Sequence, residues 1–273
     1  MTQIRAMNRD ALNALDQTIA IARKRAAGRV PVVGIAGPQG SGKTTLVSAC
    51  AAMQGGVAHF SIDDVYLGQA ARRSLAMRVH PLFATRGPPG THDADLFNAT
   101  LDSLQKADPD SRTQIPAFDK VTDDTLPRTR WTSFRGRPNL ILIDGWCLGA
   151  GTQDPRDLKR PLNSLEENED PNLAWRSAVN DFLFSPYQQM FARLDGILYL
   201  RPPDFDIVLD WRCQQEESLL GRSLTNKDKE RIARFIQHYE RITCHMMEGG
   251  RRADIEIQLD ARRNVTEVRR IGA

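Results

Sequence analysis

Eight consecutive residues constrain this chain more than any others. Gly37, Pro38, Gln39, Gly40, Ser41, Gly42, Lys43 and Thr44 match the pattern G-x-x-x-x-G-K-[ST] and follow directly on the apolar run VPVVGIAG (30–37). The spacing has a physical basis. Glycines let the backbone bend tightly and bring its N–H groups against phosphates with no Cβ in the way. The stretch after them, TLVSACAAM (45–53), reads as the start of a helix, whose dipole favours an anion at that end. Lys43 is placed to reach the β- and γ-phosphates, the Thr44 hydroxyl to join a Mg²⁺ shell, and Thr45 to complete the binding turn. A glycine-rich turn with no ligand is the plain alternative, and the strand before and helix after argue against it.

Three further runs resemble the strand that leads into this loop: VAHFSI (57–62), NLILID (139–144) and DGILYLR (195–201), with IEIQL (255–259) as a weaker fifth. Helical patterns separate them. Leu12, Leu15, Ile19 and Ala22 predict a helix over about 10–27. Asp170-Pro171 reads as an N-cap before a stripe of Trp175, Ala178, Val179 and Phe182. Thr225 with Asp228 reads as a capping box before a long amphipathic helix closed by Gly249-Gly250. Strands alternating with helices imply a parallel sheet covered on both faces. The expected fold is a P-loop, three-layer α/β sandwich with about five parallel strands, in one domain over the whole chain. Residues 86–137, rich in Pro, Asp, Thr and Arg, read as a long irregular insertion.

Composition narrows the class of function. With 41% hydrophobic and 26% charged residues and a net charge of +3, the chain reads as an ordinary globular protein with no case for nucleic acid. Four scattered cysteines without a C-x-x-C pair disfavour zinc and disulfides and fit a reducing, cytoplasmic setting. MTQIRAMNRDALNAL has no signal-peptide core, and no run is long enough to span a membrane. The nucleotide is expected to be ATP. Asn226-Lys227-Asp228-Lys229 misses the guanine-reading N-K-x-D motif at its last position, and Asp144-Gly145-Trp146-Cys147 lacks the glycine of D-x-x-G.

An ATP site alone does not say where the phosphoryl group goes. Asp144, ending an apolar strand, suits the carboxylate that anchors Mg²⁺ through water, unless it simply opens an Asp-Gly turn. Asp63, first past the second strand, lies on the edge where ligands gather in open α/β sheets. A carboxylate there can orient an acceptor hydroxyl and take its proton. Asp64 is a second-line or Mg²⁺-linked partner, or the two acids cap a helix.

The segments SIDDVYL (61–67), VHPLFATRGPPGTHD (79–93), IPAFDKVTDD (115–124), DGWCLGA (144–150) and RFIQHYERIT (234–243) together resemble the D-glycerate 3-kinase family, relatives of uridine kinases, pantothenate kinases and phosphoribulokinases. The resemblance runs from about Val32 to about Asp260. It implies transfer from ATP to D-glycerate and places the catalytic aspartate on Asp63. Two positions depart from it: Val65 where the family usually carries Phe, and Asp144 where it carries Glu. A small anionic acceptor needs donors near Asp63, and Arg86, His92 and Lys120 suit that role, with Tyr66 beside them and Asp93 and Asp119 steadying the cations. Kinases of this kind carry a mobile lid after the fourth strand, here about 202–250, whose arginine neutralises the transferring group. Arg212 is the first candidate and Arg222 the second; a solvated helix face is the alternative. Another acceptor on the same fold, or a regulatory ATPase, remains the rival reading.

Overall fold

The computed structural model describes residues 9–271, so the reading of the extreme N-terminus lies partly outside the described residues. Six strands form the main sheet: β1 (Val32–Ala36), β2 (Val57–Ser61), β3 (Leu140–Gly145), β4 (Gly196–Arg201), β5 (Ile255–Leu259) and β6 (Val265–Arg270). Their spatial order is β6-β5-β4-β1-β3-β2, with β1 to β5 parallel and β6 antiparallel on the edge. The five parallel strands are the five read from the sequence. The sixth strand, VTEVRR, has no apolar run because it is an exposed edge, and among the described residues it pairs with β5 alone.

Strand alternation sorts the side chains into two cores. Ile141 and Ile143 of β3 face one side, Leu140 and Leu142 the other. The second side is covered by α1 (Arg9–Ala26) and α2 (Lys43–Met53), through Leu15, Ile19, Leu46 and Val47. On the first side lie Phe97, Leu101 and Leu104 of α4 (Ala94–Gln105), Trp175 and Val179 of α5 (Ala174–Phe182), and Tyr239 and Ile242 of the long C-terminal helix. A further helix, α3 (Gln69–Arg78), precedes α4. The segment expected to form a lid is a helical pair, α6 (Asp206–Leu220) and α7 (Asn226–Met247), joined around Leu224, Ile232 and Ile236. Thr225 and Asp228 form the expected capping box at the start of α7.

Two sequence expectations need correction. The stretch 86–137 is not irregular throughout: it contains α4, whose apolar residues at i, i+4 and i+7 pack into the core, and two short hairpins. Those hairpins pair Arg112–Ile115 with Thr132–Arg135, and Phe118–Asp119 with Asp124–Thr125. Asp170 does not start a helix with Pro171. Its carboxylate accepts from the N–H groups of Trp175 and Arg176, capping α5 from four residues upstream.

Register sets the site. Ala36 of β1 stands opposite Gly145, and Ser61 of β2 opposite Asp144, so the carboxyl ends of β1, β2 and β3 lie level along one edge. The chain leaves β1 toward β2 on one side and returns past β1 from β3 to β4 on the other. The crevice between β1 and β3 is therefore the switch point where ligands gather.

Candidate active site

The loop after β1 is shaped for phosphate. Gly42 (φ 97°) caps α2, the helix has no side-chain cap and no acidic residue in its first turn, and so its N–H groups face outward unclaimed. Gly40 (φ 74°) is enforced twice: the left-handed backbone disfavours a side chain, and a Cβ there would meet the Cβ of Trp211 at 2.7 Å. That contact seats helix α6 directly on the phosphate loop. The Arg263 Nε donates to the Gly40 carbonyl at 2.6 Å and its guanidinium lies 5.0 Å from the Trp211 ring, tying the loop after β5 to both. Lys43 curls over the loop and donates to the carbonyls of Gly37 (2.7 Å) and Pro38 (2.8 Å). Burial pushes its pKa down while Asp144 and Asp63 pull it up, so all three groups share one field. Ser41 Oγ and Gln39 Oε1 are buried without a partner among the described residues, and the Thr44 and Thr45 side chains are exposed at the head of α2. Unclaimed N–H groups, an orphaned hydroxyl and a lysine between two carboxylates fit a nucleotide triphosphate with its Mg²⁺.

Asp144 ends β3, and its Oδ1 lies 2.6 Å from the Nε2 of His59 on β2. Sequence reasoning passed over His59; a histidine inside a strand run was its only signal.

Past β2 the two adjacent acids separate. Ser61 Oγ accepts from the Asp63 N–H (3.2 Å) while Asp64 Oδ2 accepts from the Ser61 N–H (2.8 Å), closing a capping box. Asp64 is thereby turned back toward the strand, and burial pushes its carboxyl up to about 6. Asp63 points the other way. Its Oδ1 accepts from the Tyr66 hydroxyl at 2.8 Å and its Oδ2 from the Lys120 ammonium at 2.6 Å. Burial alone would raise its pKa, but Lys120's charge and hydrogen bond, with Tyr66, outweigh that and hold it well below the usual carboxylate range.

The wall behind Asp63 comes from residues 86–93. Leu67 N–H donates to the Thr91 carbonyl and Asp93 N–H to the Val65 carbonyl, so Tyr66 and His92 bridge as paired strands and their rings stack at 4.4 Å. His92 Nδ1 lies 2.5 Å from the Tyr187 hydroxyl, and its Nε2 is buried without a partner among the described residues. Burial pushes its pKa down to about 3, so the expected cation is corrected to a neutral ring. Among the described residues Asp93 and Asp119 form no ion pair with Arg86, His92 or Lys120: Asp93 caps α4 at Leu96, and Asp119 accepts from the Val121 N–H.

Arg86 is a cation held in place. It pairs with Asp123, which also pairs with the buried Arg72, and it lies 5.7 Å from the Phe118 ring and 5.8 Å from the Phe235 ring. Tyr239 of α7 donates to the Arg86 carbonyl at 3.1 Å, and Trp146 stacks edge-on against it. On α6, Arg212 pairs with Glu216 (2.8 Å) while its Nη1 is buried without a partner among the described residues. Arg222 instead pairs with Asp228 at the exposed start of α7.

The structure thus gathers Lys43, Asp63, Tyr66, Arg86, His92 and Lys120 at one edge. This arrangement can hold a phosphate chain on one side and present a carboxylate flanked by cations on the other.

No family model matches the chain. The uncharacterized kinase mug58 of Schizosaccharomyces pombe (strain 972 / ATCC 24843) is 32% identical over 224 residues, covering 78% of this chain and 79% of that protein. The chloroplastic D-glycerate 3-kinase of Arabidopsis thaliana is 27% identical over 219 residues, 76% of this chain but 46% of the relative. Among solved structures, the D-glycerate 3-kinase from Cryptococcus neoformans var. grubii serotype A has a TM-score of 0.79 at 22% identity, covering 97% of this chain and 100% of that one. That likeness establishes the fold. Among the described residues no helix is long and apolar enough to cross a membrane.

Proposed function

We propose that the chain, which belongs to the D-glycerate 3-kinase-like family of P-loop kinases, phosphorylates D-glycerate at its 3-hydroxyl. It is an ATP-dependent kinase with an alcohol group as acceptor, acting on a small molecule. The products would be 3-phosphoglycerate and ADP. The observation that carries the reading is Asp63: an ionised carboxylate in the turn just past β2, in the field of Lys43, with Lys120 on one oxygen and Arg86 beside Lys120.

The N–H groups of Gly37, of residues 39–42 and of the first turn of α2, with the Lys43 ammonium, would hold the phosphates, Pro38 having no N–H to offer, and Thr44 and Asp144 would hold Mg²⁺. Bound together, ATP and Mg²⁺ supply the transferable phosphoryl group and neutralise its charge. Asp63 accepts a hydrogen bond from the 3-hydroxyl, orients it and takes its proton. Arg86 and Lys120 hold the substrate's carboxylate, and the unpartnered nitrogen of Arg212 is available to the transferring group. Four unpaired cysteines support a reducing, cytoplasmic setting.

The test is an ADP-release assay with D-glycerate, pantothenate and uridine as competing acceptors, with 3- and 2-phosphoglycerate measured separately. Glycerate should win in kcat/KM and give the 3-phosphate. A wide lead for either competitor would replace the acceptor and leave the kinase intact.

A further inference from the structure

Each oxygen of Asp63 already accepts a hydrogen bond, and the proton of an acceptor hydroxyl has to go to one of them. Oδ1 belongs to Tyr66, whose buried ring is clamped against His92 and Phe118 and has nowhere to go. Oδ2 belongs to Lys120, and this contact is of a different kind. Lys120 follows Asp119 at the tip of the short hairpin Phe118–Asp119/Asp124–Thr125, its side chain 57% exposed and its neighbour Val121 93% exposed. The hairpin itself is anchored at its far side. Asp123 takes Arg72 and Arg86, and Asp124 accepts from the Gln69 N–H. A fixed base with a long, flexible ammonium at the tip makes Lys120 the contact that can yield.

We propose that Lys120 makes this kinase selective for acceptors that carry a carboxylate, by leaving Asp63 for that carboxylate and so freeing Asp63 to take the hydroxyl proton. The inference rests on the glycerate-kinase reading and deepens it: the acceptor's own anion unlocks the base. A carboxylate replaces Asp63 as Lys120's partner charge for charge, whereas a neutral polyol offers the ammonium nothing in return. Arg86 lies close enough for the two cations to repel, and it is fixed between Phe118 and Phe235, so an incoming carboxylate meets a pair of positive charges. While Lys120 is in place, Asp63 is a feeble proton acceptor; its departure removes the largest influence that lowers the carboxyl's affinity for a proton, and burial then acts against the Tyr66 hydrogen bond and a weaker contribution from His92.

The step balances. The acceptor oxygen forms its bond to the γ-phosphorus as the bond from that phosphorus to the β,γ-bridging oxygen breaks. The hydroxyl proton passes to Asp63 and leaves to solvent with product, and Lys120 stays protonated on the substrate carboxylate throughout. The same lock suppresses wasteful ATP hydrolysis, since a water molecule cannot displace Lys120 from Asp63.

The experiment compares wild type, Lys120→Met and Lys120→Arg with three acceptors: D-glycerate, its neutral methyl ester and glycerol. Acceptor-free ATP hydrolysis is measured alongside. Wild type should favour glycerate over the ester by roughly 10²-fold or more in kcat/KM, the scale on which a general base acts. In Lys120→Met that preference should shrink to less than about tenfold, while acceptor-free hydrolysis rises several-fold because Asp63 is no longer locked. Lys120→Arg, which keeps the charge, should retain part of the preference. Equal loss on glycerate and ester in Lys120→Met, with hydrolysis unchanged, would overturn the inference and leave the glycerate reading standing. Conversely, the same collapse seen with a different carboxylate acceptor, in an enzyme that ignores glycerate, would support Lys120's role and overturn the glycerate reading.

Discussion

His59 and Asp144 meet across neighbouring strands, imidazole Nε2 to carboxylate Oδ1 at 2.6 Å. The ring takes one oxygen of the carboxylate proposed for Mg²⁺, so the other is the one that would be available to the ion. Partners of this kind orient a ligand without touching the ion. In His59→Ala the half-saturating Mg²⁺ concentration should therefore rise about tenfold or more, with turnover largely restored at excess Mg²⁺. A magnesium titration of ADP release reads this directly. An unchanged titration curve would mean that Asp144 is positioned by the strand alone.

Arg212 and Arg222 were rival lid residues in sequence, and their surroundings now differ. Arg212 stands next to Trp211, which packs on Gly40, and its buried Nη1 has no hydrogen-bond partner among the described residues. A buried donor left unpaired is costly unless a ligand takes it up. Arg212→Ala should lower kcat by roughly 10²-fold or more with little change in ATP affinity, the signature of a contact made in the transition state. Arg222, paired with Asp228 at the exposed helix start, should tolerate Ala with full kcat and only a slight fall in Tm. Loss of ATP affinity at constant kcat in Arg212→Ala would make it a nucleotide-binding residue instead.

His92 gives the fold a pH dependence. Burial holds its pKa near 3, whereas the unfolded chain titrates near 6.5. Below pH 6.5 the unfolded state binds a proton that the folded state refuses. The stabilisation is thus complete above 6.5 and lost as pH falls toward 3, at about 1.4 kcal/mol per pH unit. His238, lowered to about 4 by burial, acts in the same sense. Asp64, raised to about 6, acts in the opposite sense: its contribution is present below about 4 and lost as pH rises through 6. His245, lowered by burial, joins the two histidines, and Glu240, raised by burial, joins Asp64; three histidines against two carboxyls leave a net loss on acidification. Urea midpoints at pH 7, 6 and 5 should fall in wild type and fall less steeply in His92→Phe. Equal slopes would show that His92 titrates in the folded state.

What the sequence discloses is what strong physics writes into short spans. Phosphate geometry dictates the spacing of residues 37–44, and burial on both faces dictates apolar strands such as LILID. The helix Ala94–Gln105 is harder to see, because its core-facing Phe97, Leu101 and Leu104 are interleaved with polar residues inside a polar stretch. Tyr187 and Tyr239 hide in helical regions as apparent core residues, although their hydroxyls bond Gly90 and Arg86 at the site's wall. Lys120 on Asp63 joins residues 57 apart, and no local pattern encodes a hairpin folding back that far. Local chemistry was readable; the pairings that tertiary structure creates were not.

The adjacent acids Asp63 and Asp64 offer the sharpest contrast. Asp63→Asn keeps the side chain's shape and an oxygen for the Tyr66 hydroxyl, but it can neither balance the Lys120 charge nor take a proton. Its kcat should fall by roughly 10² to 10⁴, the range typical of a lost general base. Nucleotide binding, read as the rise in Tm on adding MgATP, should survive because the phosphate loop is untouched. Asp64→Asn removes a charge that burial already disfavours and keeps an oxygen for the Ser61 N–H, so the cap and most activity should persist. The reverse pattern, with Asp64→Asn inactive and Asp63→Asn retaining more than about a tenth of wild-type kcat, would move the base to Asp64. It would also remove the reason for Lys120 to guard Asp63, since a carboxylate that takes no proton needs no lock.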